Sequence, residues 1–574
     1  MKLPRIVRRP VPEIDLPSHL HPALRRVYAA RGVSCVAHVD YRLAGMLPPD
    51  LGGLERACGL IEAAIRAGRH ILVVGDFDCD GATGTAVAVR GLRMLGAGEV
   101  GYAVPNRALH GYGLSAALVA ELLPRKPDLI ITVDNGIAAH AGIAAARARG
   151  IAVVVTDHHL PGPTLPDADA IVNPNIPGDA FGSRGLAGVG VMFYLLLALR
   201  ARLRASGWFA ERGVAEPDLS VLLDLVATGT VADLVPLDYN NRILVEAGLR
   251  RIRRGLASPG IAALFASGRR DAAKAGAADL GFIVGPRLNA AGRIDDIGVG
   301  IECLLADDAT LARELADRLS ALNAERRELQ ADMTARAEAL VQNWISRHGE
   351  EALPYGIVLF EPDWHQGVVG LVASRLKDTL NRPVIACAPA NADGGELRGS
   401  GRSITGFHMR DALADVDAVA PGLLARFGGH AMAAGLSIRR DDVAAFAALF
   451  DEVARRRLAP EQLDATVLTD GELAPSELTL DLARQLRNAG PWGQGFPEPL
   501  FDGEFALLQS RALGETGLRL KLHRPGCAPL DAVLFQAERY APLPQRLRAA
   551  FHLEIDEWDG TQALRLLLRH VEPA

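Results

Sequence analysis

Cysteine is sparse in this 574-residue chain, and what there is lies scattered. The six residues, Cys35, Cys58, Cys79, Cys303, Cys387 and Cys527, never fall in C-x-x-C spacing. That excludes a zinc knuckle or disulfide framework and points to a reducing compartment. Long hydrophobic runs are also missing. The longest, Val189 to Leu199, is closed by Arg200 and is too short to span a bilayer. The basic start MKLPRIVRRPVPEI has no apolar stretch behind it and does not read as a signal peptide, so a cytoplasmic protein with no membrane partner is expected. Positive charge is lacking too: the formal net charge is −6, and residues 463–574 hold 16 acids against 11 Lys and Arg. A protein that coats nucleic acid by bulk electrostatics is thereby excluded, though a local basic path is not. No Walker loop is present, and GSGRS (399–403) lacks the third glycine of a dinucleotide fingerprint, because position 404 is Ile. Repeats and low-complexity tracts are absent. What remains is ordinary globular usage, 49% hydrophobic and 23% charged, at a length that suits three or four domains.

From about residue 70, short β-branched runs alternate with helical patterns. The runs are ILVVG (71–75), VGYAV (100–104), LIITV (129–133), IAVVV (151–155) and AIV (170–172). Fully apolar strands separated by single helices predict a parallel sheet covered on both faces, with ligands beyond the carboxyl ends of the strands. A mostly helical stretch follows. Its last part carries Leu311, Leu315, Leu319, Leu322, Leu329, Met333, Leu340 and Trp344 at helical spacing, with Asp307 or Asp308 as start cap and Gly349 as end. A second α/β region starts near Tyr355. After about residue 460 the pattern turns to alternating strands that fit a small antiparallel barrel.

The strongest signal is ILVVGDFDCDG (71–81), where Asp76, Asp78 and Asp80 leave a buried strand. A calcium loop is excluded, since the twelfth position is Val87 rather than Glu and a strand precedes the loop. LIITV runs into Asp134-Asn135-Gly136, IAVVVT runs into Asp157-His158-His159, and GTVADLVPL adds Asp233. One acidic strand end is an ordinary turn starter. Three on parallel strands share one sheet edge, so their acids must converge. Two carboxylates about 4 Å apart repel by ~4 kcal/mol at an effective dielectric near 20. Five or six without cations would therefore cost more than a domain's ~5–15 kcal/mol of stability. Carboxylates with imidazole and no thiolate favour Mn²⁺ or Mg²⁺. Two such cations sharing an aspartate would support in-line displacement at phosphorus.

D-x-D-x-D-G, D-N-G and D-H-H in this order resemble the DHH phosphoesterase superfamily. Pro105-Asn106-Arg107, His110-Gly111-Tyr112-Gly113, GPRLNAAGR (285–293), GSGRS and FGGHAMAAG (427–435) narrow the resemblance to its bacterial single-strand-specific 5′→3′ DNA exonucleases. The resemblance implies an α/β, two-lobed DHH phosphoesterase: a parallel-sheet DHH domain (51–300), a connecting helix (301–349) and a DHHA1 substrate-binding domain (350–459). An N-terminal extension (1–50) would precede these and an OB-fold-like β-barrel (460–574) would follow. It implies two divalent cations, Mn²⁺ or Mg²⁺, held by Asp78, Asp80, Asp134, His158 and Asp233, with Asp134 bridging and Asp76 a ligand or its neighbour. Asp157 would orient His158, and His159 would face the scissile phosphate. Arg107, His110, Tyr112, Asn289, Arg293, Ser400, Arg402 and His430 would bind substrate, with Asn289 and Arg293 in a turn and His430 at a helix start. Trp364 and Phe496 join Tyr112 as stacking candidates, each more often core than platform. Single-stranded DNA is the implied substrate, with a single-strand-binding protein and a helicase as partners of a monomer in repair and recombination. Two rivals stand beside this: a phosphoesterase of short oligonucleotides, cyclic dinucleotides or pyrophosphate, and a non-catalytic replication or repair scaffold.

Overall fold

Ile71, Leu72, Val73 and Val74 are wholly buried, which requires cover on both faces of their strand. The computed structural model, which describes residues 3–106, 110–391, 394–558 and 560–574, supplies it. Two compact units are formed: Val11–Asn323 with Gln485–Glu498, and Met1–Pro10 with Ala324–Arg484 and Pro499–Ala574.

The first unit contains five parallel strands, β1 (His70–Val74), β2 (Glu99–Ala103), β3 (Leu129–Val133), β4 (Ala152–Thr156) and β5 (Ala170–Val172). Their order across the sheet is β2-β1-β3-β4-β5. In this order the chain winds both ways from β1, which opens a crevice beyond the carboxyl ends of β1 and β3. Helices α1 (Cys79–Met94), α2 (Gly188–Ala205), α3 (Leu223–Ala232) and α4 (Gly285–Ile294) complete the surroundings of that crevice. Segment 485–498 packs on this unit. Trp492 and Phe496 stack with centroids 5.1 Å apart, the Arg242 guanidinium lies 4.1 Å from the Phe496 centroid, and Tyr28 Oη donates to Ala489 O at 2.9 Å.

Helix α5 (Ala309–His348) begins as its pattern predicts: the Asp308 carboxylate accepts from Leu311 N at 2.8 Å, and Gly349 leaves it at φ +86°. In the second unit β6 (Ile357–Phe360), β7 (Val384–Pro389), β8 (Glu396–Arg402), β9 (Leu424–Gly429) and β10 (Ala433–Arg439) form a mixed sheet, with α6 (Val369–Leu380) between β6 and β7. The final strands, β11 (Phe501–Leu513), β12 (Gly517–His523), β13 (Leu530–Leu534), β14 (Arg546–Trp558) and β15 (Thr561–Pro573), close into a barrel. It is not wholly antiparallel: β13 pairs parallel with β15, and that pairing closes the ring. Among the described residues no helix is long and apolar enough to cross a membrane.

The N-terminal strand Arg5–Arg8 pairs with Thr466–Thr469 and delivers Arg8 to the barrel. There the buried Asp502 carboxylate accepts from Arg8 Nη2 and Arg548 Nη2, both at 2.8 Å, and from Thr469 Oγ1 at 2.7 Å. Burial works against its charge, yet these three donors hold its pKa below the usual carboxylate range. A depressed carboxylate pKa adds stability that is present above the unfolded value and is lost as pH falls through the folded one. The second unit should therefore weaken as pH drops below about 4. Asp502→Ala, which strands two arginines, should cost about 3 kcal/mol and flatten that acid limb. Urea denaturation at neutral and acidic pH measures both, and an unchanged limb in the variant would refute the assignment.

Candidate metal centre

The aspartates after β1 occupy a turn that folds back on itself. A Cβ on Gly81 would lie 2.5 Å from Asp76 O, so only glycine fits. Asp78 caps α1, accepting from Gly81 N at 3.0 Å. Asp80, in the first turn of α1, is buried and accepts from Gly188 N at 2.6 Å and Val189 N at 2.9 Å. Those amides open α2, so a helix N-terminus holds this carboxylate. Asp134, at the end of β3, takes φ +63°, a conformation asparagine and aspartate tolerate better than most residues. Gly188 presses against it: a Cβ there would lie 2.5 Å from Asp134 Cβ. Asp233 caps the carboxyl end of α3, its N–H donating to Gly229 O at 2.9 Å.

The two histidines after β4 close the group. His158 Nε2 stands 3.0 Å from Asp134 Oδ1, 3.5 Å from Asp233 Oδ2 and 3.9 Å from Asp80 Oδ2. His159 Nδ1 lies 2.8 Å from Asp157 Oδ1 and 3.9 Å from Asp134 Oδ1. Asp157 therefore orients His159 and not His158. Its Oδ1 also accepts from His158 N at 2.7 Å and His159 N at 3.0 Å, and its Oδ2 from Ile137 N at 2.9 Å. An aspartate at a strand end bonds the amides that follow it, and here the imidazole two residues on reaches the same oxygen.

Burial opposes the charge on Asp157, but His159 and the amides keep its pKa below the ordinary value. Burial likewise opposes a protonated His159, yet the hydrogen bond and charge of Asp157, with Asp76 and Asp78, raise its pKa to about 8. The others go the opposite way. Burial, then the charge of Asp78, lifts Asp80 to about 7. Asp134 and Asp233 are pushed well above the carboxylate range by burial and by Asp80 and Asp78. Asp157→Asn should free His159 and lower activity or metal affinity about 10- to 100-fold, with the alkaline limb of the pH profile displaced downward from about 8. Steady-state rates and metal titrations would check this; an unmoved profile would contradict it.

Among the described residues, three groups each bring their ligand atoms within 4.8 Å of one another: Asp134-His158-His159, Asp80-His158-Asp233 and Asp76-Asp78-Asp134. Asp134 Oδ1 is buried and accepts no hydrogen bond among the described residues. None of these three groups includes Cys79. Oxygen and imidazole donors without thiolate suit Mn²⁺ or Mg²⁺.

Of the expected substrate residues, Arg107 lies outside the described residues. His110 has both ring nitrogens engaged, Nδ1 by Asn106 N at 3.0 Å and Nε2 by Glu121 at 2.9 Å. Tyr112 Oη donates to Asp134 O at 3.0 Å, with its ring edge-on to His159 and Phe77. Asn289 and Arg293 lie in α4 and not in a turn; the small residues around them let the helix press onto the metal loop, and Asn289 Oδ1 accepts from Cys79 N at 2.8 Å. Ser400 and Arg402 are on β8, against the first turn of α6: a Cβ on Gly370 would lie 2.8 Å from Arg402 Nη2 and 2.9 Å from Ser400 Oγ. His430 is at the hairpin between β9 and β10, its N–H donating to Ala433 O at 2.7 Å, and not at a helix start. Trp364 and Phe496 are core. Sequence reasoning misses the cradle of Gly188 and Val189 under Asp80, because LAGVGVMFYLLL reads only as an apolar helix.

The DHH family N-terminal domain matches residues 70–230, the DHHA1 domain 354–456 and the RecJ OB domain 469–570. Among curated relatives, the single-stranded-DNA-specific exonuclease RecJ of Dickeya dadantii is 52% identical, over 99% of this chain and 98% of its own. That of Escherichia coli is 50% identical over the same shares. The crystal structure of RecJ in complex with Mn²⁺ from Thermus thermophilus superposes with a TM-score of 0.80 at 33% identity, covering 97% of this chain and 76% of that one. A second structure from that organism, with Mg²⁺, gives 0.75 at 31% identity over 97% and 75%. With a sheet, a mixed second unit and a closed barrel that each match in turn, this chain belongs to the RecJ family of DHH proteins.

Proposed function

We propose that the chain hydrolyses single-stranded DNA from its 5′ end, releasing 5′-mononucleotides at a centre of two divalent cations, Mn²⁺ or Mg²⁺. The observation that carries this is the convergence of four aspartates and His158 around Asp134 in overlapping ligand groups, two of which contain Asp134. Asp76, Asp78, Asp80, Asp134, His158 and Asp233 would hold them, and His159 borders the same space. Bound there, the cations supply Lewis acidity and a water of lowered pKa for attack on phosphorus.

The protein's own groups set the rest. Asp157 grips the Nδ1 side of His159 at 2.8 Å and fixes the ring, so His159 would present its other nitrogen to the reacting phosphate as a proton donor. Water adds to phosphorus and the P–O3′ bond breaks. The released nucleotide carries the 3′-hydroxyl, and the shortened strand carries a new 5′-phosphate. Ser400 and Arg402, on β8 against the first turn of α6, suit that phosphate: Arg402 donates to Ser400 Oγ and Gly401 O but pairs with no carboxylate among the described residues. Each turnover thus regenerates the end that the site recognises. Tyr112, Arg293, His430 and the barrel complete the DNA contacts in this reading.

In the cell, the protein would act as a cytoplasmic monomer supplied with strands by a helicase and a single-strand-binding protein. Its six cysteines, all free, support a reducing compartment. Incubation with Mn²⁺ and end-labelled single strands, duplex, a dinucleotide and pyrophosphate tests the activity. Mononucleotides from the 5′ end of single strands alone are expected. Turnover of only the small substrates, or DNA binding without hydrolysis, would overturn it.

A further inference from the structure

The two most exposed large apolar side chains recorded among the described residues are Phe282, at 79%, and Leu234, at 67%. Both flank the carboxyl end of α3, the element that delivers Asp233. Leu234 follows Asp233 directly and is held at φ +59°, a strained conformation for a leucine. Phe282 sits in a π-helical turn, Leu280–Val284, which runs into α4. The turn is seated on α3: a Cβ on Gly281 would lie 3.3 Å from Val231 Cγ1, and one on Gly285 would lie 3.0 Å from Ala232 Cβ. Its other side chains are spent inward, with Leu280 and Val284 buried and Ile283 against Gly268. Phe282 alone is turned to solvent, in a chain where aromatics are only 5% of residues. An extra residue in a helical turn reaims a side chain, and such turns gather at functional sites. The same short segment then continues into Asn289, which braces the metal loop through Cys79 N.

We propose that Phe282, with Leu234 beside the same helix end, is a stacking platform for an unpaired nucleobase next to the scissile phosphate. The inference rests on the reading of the centre as a single-strand nuclease. A phenyl face suits any base, and it is denied to bases already stacked and paired in duplex. Phe282 would thus add to strand discrimination, through binding rather than bond breaking. A protein partner on this patch is the competing occupant, and it would not respond to the presence of a base.

The test uses the full-length protein. Oligo(dT) carrying 2-aminopurine, walked through the first six 5′ positions, is bound in EDTA, where no hydrolysis is needed. One position should be quenched on binding to wild type and not to Phe282→Ala, with affinity about tenfold lower in the variant and restored by Phe282→Trp. An abasic residue at that position should weaken wild type equally and Phe282→Ala no further. With Mn²⁺, KM should rise about tenfold while kcat stays within about twofold. Because the side chain is exposed, the melting temperature should not move. Equal quenching in both proteins, or an abasic penalty that survives in the variant, would overturn the proposal. Absence of hydrolysis in wild type would instead count against the nuclease reading, and the binding result would still stand.

Discussion

Asp134→Asn is expected to reduce hydrolysis by about 10³-fold or more while making the metal-free protein more stable. The loss follows from position. Asp134 belongs to two ligand groups and faces His158 Nε2 at 3.0 Å, so under the proposed assignment its removal would weaken both cation sites together. A cation's stabilisation of transition-state charge is worth several kcal/mol, and ~4 kcal/mol corresponds to about 10³-fold. The gain in stability follows from the same crowding. Without cations, burial and the charges of Asp80, Asp78, Asp233 and Asp76 push the Asp134 carboxyl well above its ordinary range. A carboxyl raised on folding adds stability that is present below the unfolded value and is lost as pH rises through the folded value. Metal-free wild type should therefore melt lower at pH 8 than at pH 5, and Asp134→Asn should melt higher than wild type at pH 8. Asparagine also tolerates the left-handed φ of +63°, which alanine does not. Saturating Mn²⁺ should reverse the order, since a ligand at 100 times its Kd adds ~2.7 kcal/mol per site to wild type. Thermal melts in EDTA and in Mn²⁺ at both pH values decide it. Rates within tenfold of wild type, or an order of melting temperatures that ignores Mn²⁺, would remove Asp134 from the centre.

Much of this centre is legible in the chain because it is local. A buried β-branched run followed by Asp is visible as such, and parallel strands bring successive run ends to one edge. That logic gathers Asp76, Asp78, Asp80, Asp134 and the Asp157-His158-His159 end without any fold in hand. What spacing does not carry is which partner each group meets across long separations. Asp502 is held by Arg8, nearly the whole chain away. Asp80 is held by amides of an apolar helix more than a hundred residues downstream. Small residues mislead in the same way. Gly and Ala in GPRLNAAGR suggest a turn open to a ligand, but they serve close packing: Gly292 leaves no space for a Cβ beside Phe77 O. FGGH reads as a helix start and is a hairpin, because paired glycines suit both. Phe282 belongs to no motif; only its exposure distinguishes it from a core phenylalanine.

Arg402→Ala should abolish the preference for a 5′-phosphorylated end, lowering kcat/KM on such strands about 10²-fold while barely touching strands with a 5′-hydroxyl. Arg402 is half-buried, and burial pulls its guanidinium pKa below the ordinary value. No carboxylate among the described residues offsets that cost, whereas Arg548, also half-buried, has Asp502 as such a partner. Its Nη1 is spent on Ser400 Oγ at 2.9 Å and Gly401 O at 2.8 Å, which fixes the fork. Arg402 Nη2 is the atom that approaches Gly370, in the first turn of a 12-residue helix where Leu371 N and Val372 N already donate to Val368 O. An anion there would gain a charge-assisted hydrogen bond from arginine, the hydroxyl of Ser400 and the positive end of α6. Hydrogen bonds to charged groups are worth ~1.5–3 kcal/mol each, so losing the arginine matches about two decades. Arg402→Lys keeps the charge and loses the fork, and should fall between the two. Removing a desolvated cation without a counter-charge should leave the melting temperature equal or higher. Rates on matched 5′-phosphate and 5′-hydroxyl oligonucleotides give the ratio directly. A ratio unchanged by Arg402→Ala would mean that the end is recognised elsewhere, and that the cation beside α6 serves only the sheet on which it stands.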